Sequence, residues 1–112
     1  QVAVKAILPA ILYFTGIFIA VHLEAKKLGL KSESVVVGRD SIKAALEKKQ
    51  PVICSMKPGD FTTTGHFIVL TGLTEDGRLM INDPNSITRS EKRWDIDTIV
   101  GQVKSAWTYT VP

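Results

Sequence analysis

The chain opens on a run with no charge alternation. Ala6 to Leu23 reads AILPAILYFTGIFIAVHL without a Lys, Arg, Asp or Glu. That is about the minimum length for a bilayer span. Lys5 precedes it and Lys26, Lys27 and Lys31 follow, so an inserted helix would leave the downstream segment on the cytoplasmic side. A buried helix fits the same pattern, with Pro9 in its first turns, Gly16 tolerated inside and Gly29 as its C-terminal cap. Both readings predict a long hydrophobic helix over residues 1–29. A cleaved signal peptide fits less well, because QVAVK carries one charge and no small-x-small site precedes LEAKK.

Beyond Gly29 the pattern breaks into short elements separated by turn residues, as in a small α+β domain over residues 30–112. Ser34 to Val37 reads as a short strand. Asp40 can cap the helix SIKAALEKK, whose Ile42, Ala45 and Leu46 recur at helical spacing, and Gln50-Pro51 ends it. VICSM, Val52 to Met56, reads as a buried strand, and KPGDFTTTG as a loop. HFIVLTGL and RLMIND form two strands joined by a tight Asp76-Gly77 turn. PNSITRS reads as a loop, Asp95 or Asp97 starts a helix through IDTIVGQVK, and Ala106 to Val111 closes the domain as a strand. The predicted architecture is a long hydrophobic helix, then an antiparallel sheet of about four or five strands with two short helices.

With 112 residues the chain can bury one small core. Its 14 basic and 11 acidic residues give a net charge of +3, and the basic ones are scattered, which argues against nucleic acid as a partner. The single cysteine, Cys54, rules out an internal disulfide, and Cys/His metal spacing is absent. Neither a metal nor another cofactor is expected.

Two residues could carry chemistry. His66 begins one strand of the hairpin and Asp83 ends the next, just before Pro84, and strand ends can expose rigidly held side chains. A histidine base needs a carboxylate or amide partner to fix its tautomer and stabilise its charged form. A two-residue turn would pair Asp83 with about Leu70, some 13 Å along the strand from His66, so a bulge, twist or bend must close the gap. Asn85 is the second candidate for the orienting residue. Cys54 sits between apolar neighbours with no polar turn into a helix, which describes a small buried hydrophobe rather than a nucleophile. His22 reads as interfacial, and Trp94 and Trp107 as packing residues.

The blocks PVICSMKPGDFTTTGHFIVLTGLTEDGRLMINDPNS and RSEKRWDIDTIVGQVKSAWTY resemble the C-terminal half of bacterial C39-like, papain-like cysteine peptidase domains. The resemblance implies a papain-like half domain that hydrolyses peptide bonds through a thioester, with His66 as general base and Asp83 as orienting residue. In that family the nucleophile sits upstream in a block like C-G-P-T-S, which this sequence lacks. The resemblance therefore implies a domain inactive alone, whose partners are a peptide substrate or the missing N-terminal half. Its best-known members cut leader peptides after Gly-Gly in export transporters. Residues 6–31, AILPAILYFTGIFIAVHLEAKKLGLK, resemble instead a membrane segment of the fused permease of TRAP-type solute transporters. Together the two resemblances imply a membrane-associated or extracytoplasmic protein and a spliced, truncated or assembled reading frame. The alternatives are a membrane-anchored peptide-binding module and a transporter fragment.

Overall fold

A computed structural model describes residues 29–110. Within them lie β1 (Lys31–Val35), α1 (Arg39–Glu47), β2 (Val52–Met56), β3 (His66–Leu73), β4 (Leu79–Asn82), α2 (Ile87–Glu91), α3 (Ile96–Val100) and β5 (Val103–Thr110). The five strands form one sheet in the order β1-β5-β2-β3-β4, with every neighbouring pair antiparallel. The α+β expectation of a small antiparallel sheet with helices holds. The long hydrophobic helix expected over residues 1–29 lies outside the described residues, as does His22. No helix among the described residues is long and apolar enough to cross a membrane.

The first strand begins earlier than the sequence suggests. Lys31 pairs with Thr110 and Val35 with Ala106, whereas Val36 and Val37 are exposed beyond the ladder. Its polar sequence KSESV suits an edge strand, where charge discourages pairing with another chain. Gly38, not Asp40, is the N-cap of α1; it makes no side-chain cap, and Asp40 falls in the first turn, where its negative charge is favoured by the positive end of the helix dipole. At the other end Lys49 adopts φ 64°, with Lys49 N–H bonded to Leu46 O and Gln50 N–H to Ala45 O. This Schellman closure and the following Pro51 stop the helix and turn the chain into β2.

Among the described residues three short helices are present rather than two. The additional one, α2, is five residues long, and Ser86 Oγ caps it by accepting from Arg89 N–H at 3.0 Å. A segment this short has no hydrophobic periodicity to reveal it. Asp95 does cap α3, accepting from the N–H groups of Asp97 and Thr98. The helix ends at Val100 instead of running through Lys104, because Val103 is drawn into the ladder opposite Met56 and is buried there.

Both faces of the sheet bury apolar side chains. On one, Val52, Cys54 and Met56 of β2 and Ile68 and Leu70 of β3 meet Ile42, Ala45 and Leu46 of α1 and Ile96 and Ile99 of α3. On the other, Ile53, Val69, Trp107 and Tyr109 cluster, with Phe67 edge-on to Trp107 at 5.6 Å between ring centres. Such two-sided burial explains why β2 reads as a continuous apolar run rather than an alternating one. Trp94 extends the sheet locally by a two-hydrogen-bond bridge to Leu79, and its ring lies 4.7 Å from that of Phe61.

Candidate active site

His66 is the first residue of β3, opposite Met56, on the face covered by α1. The loop before it is folded by Thr62, whose Oγ1 accepts from Thr64 N–H at 3.2 Å and Gly65 N–H at 2.9 Å. Gly65 enters the strand at φ +154°, a conformation that a residue with a Cβ rarely adopts. The same loop is tied to the α3–β5 turn. Gln102 Oε1 accepts from Asp60 N–H at 2.8 Å, and its Nε2 donates to Asp60 Oδ2 and Thr98 O.

Two register changes bring Asp83 to the histidine. The β3–β4 loop holds three residues, Glu75, Asp76 and Gly77, closed by Thr74 N–H to Arg78 O, with Gly77 at φ 82°. A bulge between Leu70 and Gly72 then shifts the pairing once more, so Val69 faces Asn82 and Asp83 follows beside Ile68. Each change moves the partner by one residue. The two together restore the face and shorten the gap from about 13 Å to about 7 Å along the strand.

The remaining distance is closed by the turn that follows. Asp83 O accepts Ser86 N–H at 3.1 Å across Pro84, and Asp83 Oδ1 accepts Asn85 N–H at 2.9 Å, an Asx-turn that fixes the carboxylate. Ser90 Oγ accepts Asp83 N–H at 2.7 Å and donates towards Asp83 O and Ser86 O, which fastens α2 under the turn. Asp83 Oδ1 then meets His66 Nε2 at 2.6 Å, and Oδ2 meets Arg89 Nε at 2.6 Å. The Asp83 side chain is wholly buried and that of His66 is 3% exposed.

These contacts define the electrostatics. Burial alone would raise the Asp83 pKa. Hydrogen bonds from Arg89 and His66, the Asn85 N–H and the charge His66 carries when protonated outweigh it and hold the carboxyl below the usual carboxylate range. An ionised carboxylate only accepts, so the neutral ring carries its proton on Nε2 and a lone pair on Nδ1. Asn85 Nδ2 lies 3.3 Å from that Nδ1 and donates towards it. Asp83, the first candidate, thus holds Nε2, while Asn85, the second, touches the opposite nitrogen.

The structure does not bring Cys54 into this arrangement. It is fully buried at mid-strand opposite Ile68, and burial pushes its thiol pKa far up. Among the described residues no hydrogen bond links it to His66, and it lies within a strand rather than at a helix N-terminus, where the dipole would favour a thiolate. Arg89 and Ser90 were not legible as site residues. The available signal was Ser86 three residues before Arg89, a capping spacing that aims residues Arg89 and Ser90 back at Asp83. Trp94 supports the site from behind by donating Nε1–H to Arg89 O at 3.0 Å. Among the described residues no group of three or more His, Cys, Asp or Glu gathers as a metal site would require.

The sequence profile of the Peptidase_C39 like family matches residues 25–112, and the chain therefore belongs to that family. Among solved structures, the peptidase domain of Streptococcus ComA, a bi-functional ABC transporter involved in quorum sensing, superposes with a TM-score of 0.60 at 19% identity. The match covers 85% of this chain and 66% of that one. A protein described as a C39-like peptidase from Bacillus anthracis superposes with a TM-score of 0.50 at 17% identity, over 83% of this chain and 58% of the other. At these identities the likeness is one of fold, and the chain spans less than two thirds of either structure's length. No curated protein matches. The family match begins at residue 25, and none of these comparisons supports the resemblance of residues 6–31 to a transporter segment.

Proposed function

We propose that this chain is the His/Asp half of a C39-like cysteine peptidase and that the nucleophilic thiol comes from outside the sequence given. The observation that carries the reading is the buried 2.6 Å contact between His66 Nε2 and Asp83 Oδ1, which leaves Nδ1 as the basic atom. Membership of the family supports it, as does the shape of the neighbouring ComA peptidase domain, of which this chain spans 66%. Cys54 is unsuited to the nucleophile's part, being buried with a raised pKa.

In the assembled site, His66 Nδ1 takes the proton from the incoming thiol, and Asp83 steadies the imidazolium through Nε2–H. The thiolate attacks the peptide carbonyl carbon. As the C–N bond breaks, Nδ1–H returns its proton to the leaving amine, and a thioester remains. Water then attacks the thioester, giving its proton to Nδ1, which passes it back to the departing sulfur.

The test is a cleavage assay with a Gly-Gly peptide and a thiol-directed activity probe. Alone, the chain is expected to give neither turnover nor labelling. Turnover abolished by Cys54→Ala would overturn the proposal. Adding a polypeptide that carries the cysteine-bearing half is expected to produce cleavage that His66→Ala eliminates.

A further inference from the structure

The hydrogen bonds of Asp83 divide unevenly between its two oxygens. Oδ1 serves His66 Nε2 and Asn85 N–H, whereas Oδ2 has one partner among the described residues, Arg89 Nε, at 2.6 Å. The carboxylate is wholly buried and the guanidinium is 30% exposed, so Arg89 is the link through which this buried charge is balanced. We infer that Arg89 is a positioning residue for the His66–Asp83 pair, one that fixes the plane of the Asp83 carboxylate so that Oδ1 points at Nε2. The inference rests on the reading of His66 as the base and extends it to a residue that touches neither the ring nor a substrate.

Three features support this role. Arg89 approaches through Nε, the inner donor of a planar group, so the direction of its N–H is set by the side chain's path from α2. The backbone of Arg89 is held on both sides, its N–H by Ser86 Oγ at 3.0 Å and its C=O by Trp94 Nε1–H at 3.0 Å. Finally, Ser90 clasps the Asp83 backbone from the same short helix, so acid and guanidinium are anchored to one rigid unit. Without Arg89, Oδ2 would be a buried acceptor with no partner among the described residues. The carboxylate would then turn to recover one or take up a proton, and either change loosens its hold on Nε2–H. The Arg89 hydrogen bond is also the foremost influence holding the Asp83 carboxyl ionised against burial.

Nuclear magnetic resonance on the chain itself tests this without any cleavage assay, so failure here and failure of the peptidase reading remain distinguishable. Two signals are followed: the exchange-protected, downfield Nε2–H proton of His66 and the titration of the Asp83 side-chain carboxyl carbon. In Arg89→Met the proton is expected to move upfield or be lost to exchange, and the Asp83 titration to shift to higher pH. Arg89→Lys, which keeps the charge but lacks the planar Nε donor, should hold the Asp83 titration near its original range while still weakening the Nε2–H signal. A merely structural role would lower stability and move neither signal in the folded protein. An unchanged Nε2–H signal in whichever of the two variants folds would overturn the inference.

Discussion

Asn85 Nδ2 lies 3.3 Å from His66 Nδ1, the nitrogen that Asp83 leaves bare. The amide therefore satisfies the ring's lone pair, and under the proposed function a thiol approaching the same atom would have to displace it. Asn85→Ala should leave stability within about 1 kcal/mol, since one net hydrogen bond is lost. It should also make Nδ1 several-fold more reactive towards an imidazole-directed acylating reagent, followed by mass spectrometry of the His66 peptide. Unchanged reactivity would mean that Asn85 does not shield the ring.

Replacement of Asp83 by Asn tests the buried pair. Removing one partner of such a pair costs about 3–5 kcal/mol, because Arg89 loses its counter-charge and the ring its acceptor. The pH dependence has a definite sign. The Asp83 pKa is lowered on folding, so its stabilisation is fully present above the unfolded carboxylate value of about 4 and fades as pH falls through the folded value. Urea unfolding should therefore show a large deficit for Asp83→Asn at neutral pH, shrinking below about pH 4. A deficit independent of pH would contradict the ionised carboxylate.

Cys54 behaves as core. Cys54→Ala is expected to cost about 1–2 kcal/mol by leaving a small void, with no other loss. In the native protein a thiol reagent should react only as fast as the strand opens, and the rate should rise steeply through the urea transition. Fast labelling in native buffer would place the thiol somewhere other than the sheet interior.

A close approach holds the loop before His66. A Cβ at Gly59 would collide with Gln102 Oε1, the atom that accepts from Asp60 N–H. Gly59→Ala should displace the Gln102 side chain and cost about 1–3 kcal/mol of stability, measured by thermal unfolding. Wild-type stability would show that Gln102 can be lost from the loop without consequence.

Much of this arrangement was legible from local pattern. The apolar runs HFIVLTGL and RLMIND, with the Asp76-Gly77 turn between them, point to the hairpin, and the polar loop before Gly65-His66 marks the start of its first strand; the exposure expected at the strand ends is not found, since His66 and Asp83 are both buried. The register was not legible. It depends on a third loop residue and on a bulge at Thr71, neither of which hydrophobic alternation encodes. That Asp83 and His66 had to be joined by some such irregularity did follow from counting residues. Helix α2 escaped because five residues show no period, and with it went Arg89 and Ser90, whose roles exist only once the chain has turned back on Asp83. The start of α1 differs from the expected one because Asp40 has the chemistry of a cap, whereas Gly38 has the extended backbone of the N-cap position.

The proposed function depends on which nitrogen of His66 bears the proton. With ¹⁵N-labelled histidine, and His22→Gln to separate the two rings, the neutral His66 ring should show its proton on Nε2, hydrogen-bonded to Asp83, and a bare Nδ1. In Asp83→Asn that signature should change. A proton resident on Nδ1, or ring signals indifferent to the Asp83 substitution, would show that imidazole and carboxylate are not the working pair.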